Sequence, residues 1–142
     1  MATLNVEIVA PEAALWTGTA TALVARSSEG DFTILAQHTS TVGDLVSSIV
    51  RVETNEGAIA FAVHSGFFQV GPGLEPDTTL ATVLASVAER TTEIDVARAQ
   101  AAKDTAQNAL SVAQKADDDD AMLILSAALE RAELRLRAAS VK

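Results

Sequence analysis

Apolar and polar positions alternate through the first ninety residues with the period of a strand. Leu4, Val6 and Ile8 alternate with Asn5 and Glu7, which is the two-residue repeat of a half-buried strand. Pro11 interrupts it. Ala14–Thr17 is a second short strand, ended by Gly18, and Ala20–Arg26 a third. Ser27-Ser28-Glu29-Gly30 has the composition of a turn. Asp31–Leu35 is a strand, Gln37–Thr41 a polar loop, and Val42–Arg51 one bent strand or two. Asn55-Glu56-Gly57 predicts a hairpin turn. Ala58–His64 and Phe67–Val70 follow as strands, Gly71-Pro72-Gly73 opens a loop to Asp77, and Thr78–Leu84 closes the series. Eight to ten short strands favour a β-sandwich or barrel over an α/β fold.

The period changes at Thr91-Thr92-Glu93-Ile94-Asp95. Thr92 with Asp95 three residues on has the form of a capping box, so a helix is expected to start there. Ala102, Ala106, Ala109 and Ala113 make one helical stripe. Leu125, Leu129, Ala132, Leu136 and Ala139 make another, with Ala116–Asp120 between the two. The pattern predicts an antiparallel helical hairpin over 91–142, after an all-β domain over 1–90. Alanine in a seam forgoes roughly 2 kcal/mol of burial per position relative to leucine. The hairpin should therefore be weakly held.

Composition narrows the class. At 142 residues the chain can bury one sizeable core. Without cysteine it has neither disulfides nor thiolate metal sites, and with two histidines a zinc site is not expected. The net charge is −9, and residues 1–90 alone hold ten acids and three bases. This balance opposes binding to nucleic acid or anionic lipid. No apolar run approaches the roughly 18 residues of a membrane span, and no secretion signal is expected. Any membrane role then runs through a protein partner.

Few side chains suggest chemistry. Asp117-Asp118-Asp119-Asp120 lacks the spaced ligands of a calcium loop and reads as a cap for the second helix. His38 and His64 have neither a Gly-x-Ser-x-Gly serine nor metal spacing beside them. His64 reads as structural, His38 as an exposed loop residue, and Trp16 and the phenylalanines as core. Arg131 and Arg135 lie one turn apart on the flank of the leucine stripe, beside Ile124 and Ala128. Glu133 pairs best with Arg137, which leaves those two arginines to meet an anionic partner. Asp95 and Arg98 fall on the face of the alanine stripe. They are either a capping pair or the wall of a polar pocket.

Four segments in order resemble one family. They are Ser28-Glu29-Gly30-Asp31 with Ile34-Leu35-Ala36-Gln37-His38; Ser65-Gly66-Phe67-Phe68-Gln69-Val70; Ala81-Thr82-Val83-Leu84-Ala85 with Ala88-Glu89; and Ile94-Asp95-Val96-Ala97-Arg98-Ala99. Together they resemble the epsilon subunit of the bacterial rotary ATP synthase over essentially the whole chain. Thr33, Ala36, Ser40, Ser65 and Ser86 depart from the family pattern, which bears on loop conformation more than on the resemblance.

The resemblance implies an α+β protein: a ten-stranded β-sandwich, then the two-helix hairpin. It implies a non-catalytic central-stalk subunit at the cytoplasmic face of the bacterial membrane. Its partners would be the gamma subunit, the c-subunit ring and the alpha/beta head, with Asp31 and His38 on loops at the ring-facing end. The hairpin would restrain ATP hydrolysis, with Arg131 and Arg135 meeting the head when extended. No cofactor is required. A weak regulatory ATP site would use Glu89, Asp95, Arg98, Ala99, Arg131 and Arg135, although Thr105 stands where nucleotide-binding relatives carry a further arginine. Two rivals come from other classes. One is a β-sandwich ligand-binding module with a dimerising hairpin; the other is a hydrolase using His38 or His64.

Overall fold

A computed structural model describes residues 2–140. The last two positions of the expected 91–142 hairpin lie outside the described residues. Ten strands come first: β1 (Thr3–Ala10), β2 (Ala13–Ala20), β3 (Ala22–Ser27), β4 (Gly30–Ile34) and β5 (Thr41–Leu45). Then come β6 (Ser48–Thr54), β7 (Gly57–Val63), β8 (Gly66–Pro72), β9 (Thr78–Ala85) and β10 (Ala88–Arg90). A 3-10 turn at Thr91–Glu93 precedes α1 (Val96–Lys115) and α2 (Asp119–Ala139). The chain divides into two compact units between Arg90 and Thr91.

The strands form two five-stranded sheets, ordered β2-β1-β9-β8-β5 and β10-β7-β6-β3-β4. Neighbours run antiparallel except β1 and β9. Alternation decides which side is core. Leu4, Val6, Ile8, Ala81 and Val83 from the first sheet cluster with Leu23, Val50, Val52 and Phe61 from the second. The Phe32 and Phe68 rings, centroids 4.5 Å apart, join β4 to β8 between the sheets. The fold is thus a β-sandwich followed by a helical hairpin.

Several boundaries differ from expectation, each for a local reason. β2 runs through Gly18 because the Trp16 indole lies over it; a Cβ there would meet the ring at 2.9 Å. The glycine makes room for an aromatic inside the strand instead of ending it. Val42–Arg51 resolves into two strands in different sheets. Gly71 and Pro72 complete β8, with the proline at its last position, where a missing donor costs least. The three residues of β10 are too few to show a period. The turn after β6 is a two-residue loop, since Thr54 pairs with Gly57.

The first helix starts at Val96 and not at Thr92. Asp95 is its N-cap, and its carboxylate accepts the Arg98 backbone N–H at 3.0 Å. Aspartate outranks threonine at this position, so the cap forms one turn later than the Thr92 pattern implied. In the aspartate run, Asp118 caps α2 by accepting the Ala121 N–H at 3.1 Å. Asp119 and Asp120 fill its first turn, where the helix dipole favours negative charge.

Alanine does dominate the hairpin seam. The buried helical residues are Ala99, Ala106 and Ala113 on α1, and Ala132, Leu134 and Ala138 on α2. Ala102, assigned to the stripe, is exposed and Lys103 half-buried instead; Ala109 is half-buried as assigned, with Leu110 beside it. The α1 seam therefore steps 99, 103, 106, 110 and 113, a heptad spacing in which the larger Leu110 takes the inward position. Leu134 and Ala138 form a second buried line because α2 also packs on the 3-10 turn. Neither helix is long and apolar enough to cross a membrane.

Candidate functional site

The helical unit holds five of the six residues named for nucleotide. The three-residue loop 116–118 makes the helices antiparallel, so equal distances from it lie side by side. Arg98 stands 17 residues before Lys115 and Arg135 stands 16 after Asp119. At about 1.5 Å per residue both lie about 25 Å from the loop, with Arg131 one turn nearer it. Asp95 and Arg98 are exposed and not on the alanine face. Asp95 precedes the helix in an extended conformation, φ −79° and ψ 100°, so a helical wheel does not apply to it. Its partner is the Arg98 amide. Ala99 is fully buried, Arg131 exposed and Arg135 half-buried. Glu89 belongs to the sandwich unit, in β10.

In the sandwich, His64 is buried at the end of β7, with Nε2 3.8 Å from Glu89 Oε1. The His64 backbone N–H donates to the Val87 carbonyl at 2.9 Å. The Ser86 hydroxyl donates to the His64 carbonyl at 2.6 Å, and Ser86 Oγ lies 3.0 Å from Ser65 Oγ. This network ties the turn after β7 to the turn after β9, which supports the structural reading of His64.

Asp31 is a strand residue, not a loop residue. It pairs with Arg26 across β3 and β4, carboxylate to Nε at 2.6 Å. The hydrogen bond from that guanidinium holds its carboxyl below the ordinary aspartate range. His38 lies in the loop beyond the far end of β4, half-buried, its Nδ1 2.8 Å from the Thr39 carbonyl. The two residues therefore stand at opposite ends of β4. That strand is the edge of its sheet, so a partner lying along the edge would reach both.

Phe67 was expected in the core and is instead 61% exposed. Strand alternation explains it: Phe68 points inward, so Phe67 must point out. On the helices, Val112, Leu123 and Ile124 are large apolar side chains left at the loop end of the hairpin. The run Met122–Leu129 is apolar nearly all round, a pattern usual in helices covered on more than one side.

The comparisons with known proteins match this division. The family model for the ATP synthase delta/epsilon chain β-sandwich domain covers residues 3–91. The model for the long α-helix domain of the same chain covers 92–140. The ATP synthase epsilon chain of Streptomyces griseus is 38% identical, over 99% of this chain and 98% of its own length. That of a Cyanothece species is 31% identical, over 96% and 95%. Among solved structures, a chain of the Euglena gracilis mitochondrial ATP synthase OSCP/F1/c-ring assembly shares the fold. Its TM-score is 0.78 at 24% identity, over 98% of this chain and 82% of that one. With matches along both of its units, the chain belongs to the ATP synthase delta/epsilon chain family.

Proposed function

We propose that this chain is a non-catalytic rotor subunit of an ATP synthase, coupling ion translocation to catalysis through the central stalk. The sandwich would bind the gamma subunit and the c-subunit ring, and the hairpin would restrain ATP hydrolysis in the alpha/beta head. One observation carries the reading: a well-filled sandwich core is joined to a hairpin whose buried seam is five alanines and one leucine. The first is a fixed platform; the second opens at low cost. On this reading the protein reaches the cytoplasmic face of the membrane through its partners alone.

Recovery of gamma, alpha and beta from a membrane extract by the full-length chain tests the class. Binding of a sugar or peptide with no stalk subunit would favour the rival ligand-binding module. For the ring, single cysteines at positions 31 and 38 should each cross-link to c-subunit loop cysteines, as a contact along β4 requires. Cross-linking to alpha or beta alone would reverse the orientation.

Nucleotide is a lesser element of the proposal. Arg98, Arg131 and Arg135 supply guanidinium groups for phosphates, but the Asp95 carboxylate is engaged as a cap and Thr105 adds no charge. Calorimetric titration with ATP should give weak binding, reduced further by Arg98→Ala. Tight binding indifferent to that change would place the site elsewhere.

A further inference from the structure

One side of α2 lies in the hairpin seam. Another side carries a second repeat that stays open to water. Asp120, Ile124, Ala127 and Arg131 follow spacings of 4, 3 and 4, so they stand in one line with the period of a coiled-coil seam. All four are exposed, Ile124 by 68%, and Leu123 beside the line is exposed by 74%. Neither Asp120 nor Arg131 belongs to an ion pair among the described residues.

The order of the charges says what fits this line. It begins with an acid and ends with a base, and the apolar pair lies between them. A second copy of α2 laid antiparallel presents the same list reversed. Asp120 then faces Arg131 of the second copy, and Ile124 faces Ala127. Positions 120 and 131 share the midpoint of 124 and 127, between Leu125 and Ser126, so one two-fold axis satisfies both contacts, each made twice. Such a contact is self-complementary and closes at two copies. Parallel pairing would set Asp120 on Asp120 and Arg131 on Arg131, which like-charge repulsion opposes. The small Ala127 leaves room for Ile124 at the centre. Two chains of net charge −9 repel at a distance, and a four-residue line makes a small contact, so the pair is weak and forms in concentrated solution.

We propose that the free chain pairs with a second copy of itself through this line on α2, antiparallel, with Ile124 on Ala127 and Asp120 on Arg131. The inference concerns the chain alone and does not rest on the stalk reading. Pairing covers Ile124 and Arg131, the side that the hairpin offers to the head on that reading, and so keeps it closed before assembly.

Analytical ultracentrifugation of the full-length chain over a concentration series tests it. The parent should show a reversible monomer–dimer equilibrium. Asp120→Arg and Arg131→Asp should each raise the dimer dissociation constant by about tenfold or more, because both attractive pairs become repulsive. Mixed in equal amounts, these two variants should dimerise as the parent does, since every opposed pair is again an acid and a base. A chain carrying both changes should do the same. Ile124→Asp should abolish the dimer. Helical circular dichroism equal to the parent's would show that each variant keeps its hairpin, and a merely unfolded hairpin would not be rescued by mixing. A parent that stays monomeric at every concentration overturns the proposal. So do Ile124→Asp and both charge variants pairing as well as the parent, which would move the contact to another surface. A mixture that stays monomeric while the parent dimerises would overturn the antiparallel register.

Discussion

Ending the chain at Ala116 should raise ATP hydrolysis by the assembled enzyme, by about tenfold if docking of α2 contributes about 1.4 kcal/mol. Synthesis and assembly should change little. The argument starts from the seam: five of six buried helical residues are alanine, so opening the hairpin exposes little apolar area. On its outer side α2 presents Leu123 and Ile124, 74% and 68% exposed, and Arg131 further along. A partly apolar, acidic surface in the head would compete for that helix. Arg131→Ala with Arg135→Ala should reproduce part of the truncation. The loop supplies a variant that leaves α2 whole. Asp118 and Asp117 donate their N–H groups to the Ala113 and Gln114 carbonyls, at 3.0 and 3.3 Å. That is the Schellman pattern, with Asp117 at the left-handed position, φ 55°. A left-handed residue other than glycine costs about 1 kcal/mol. Asp117→Gly should therefore stabilise the closed hairpin and also raise hydrolysis, by less than truncation does. Unchanged hydrolysis after truncation would make the hairpin a brace only. A silent double arginine variant beside an active truncation would move the contact off the cationic flank.

The elements that the sequence reveals are those with a repeat long enough to carry a phase. Leu4, Val6 and Ile8 alternate over a full strand and sit in the core as read. β10, three residues long, has no period to read and is placed only by pairing with β7. The α1 stripe has the right spacing and fails only at Ala102, where Lys103 takes the half-buried place; Ala109 and Leu110 are both half-buried. Alanine at 102 says little about which side a helix buries, because its side chain is a single methyl. Gly18 and Gly71 look like chain breaks, yet serve inside strands. The departures at Ser65 and Ser86, two unrelated substitutions along the chain, lie against each other in space. The site residues are legible mainly through resemblance. Asp95 is the exception, since a carboxylate three residues before the Arg98 amide is a capping signal in itself.

Gly66→Ala should be the most destructive single change in the sandwich. Gly66 opens β8 directly opposite Ala85 of β9. A Cβ built there runs into the Leu84 carbonyl oxygen and comes within 2.9 Å of the Ala85 Cα. Both are backbone atoms of the neighbouring strand, so no rotamer can move aside. Relief requires β8 and β9 to part at the point where the Ser65–Ser86 network also holds them. Overpacking of this kind costs about 3 kcal/mol. For a unit of this size that is a fall of roughly 15 °C in the midpoint of the β-rich thermal transition. The hairpin's helical signal should survive, because the helices form a compact unit of their own. Truncation after Arg90 supplies the converse. It should leave a cooperative β-rich transition near that of the parent, since the aromatic residues and all ten strands remain. Calorimetry with circular dichroism on the parent and these two variants decides it. A Gly66→Ala midpoint within a few degrees of the parent would show that the two strands can part without cost. Loss of the β transition in the truncated chain would show that the sandwich needs the hairpin to fold.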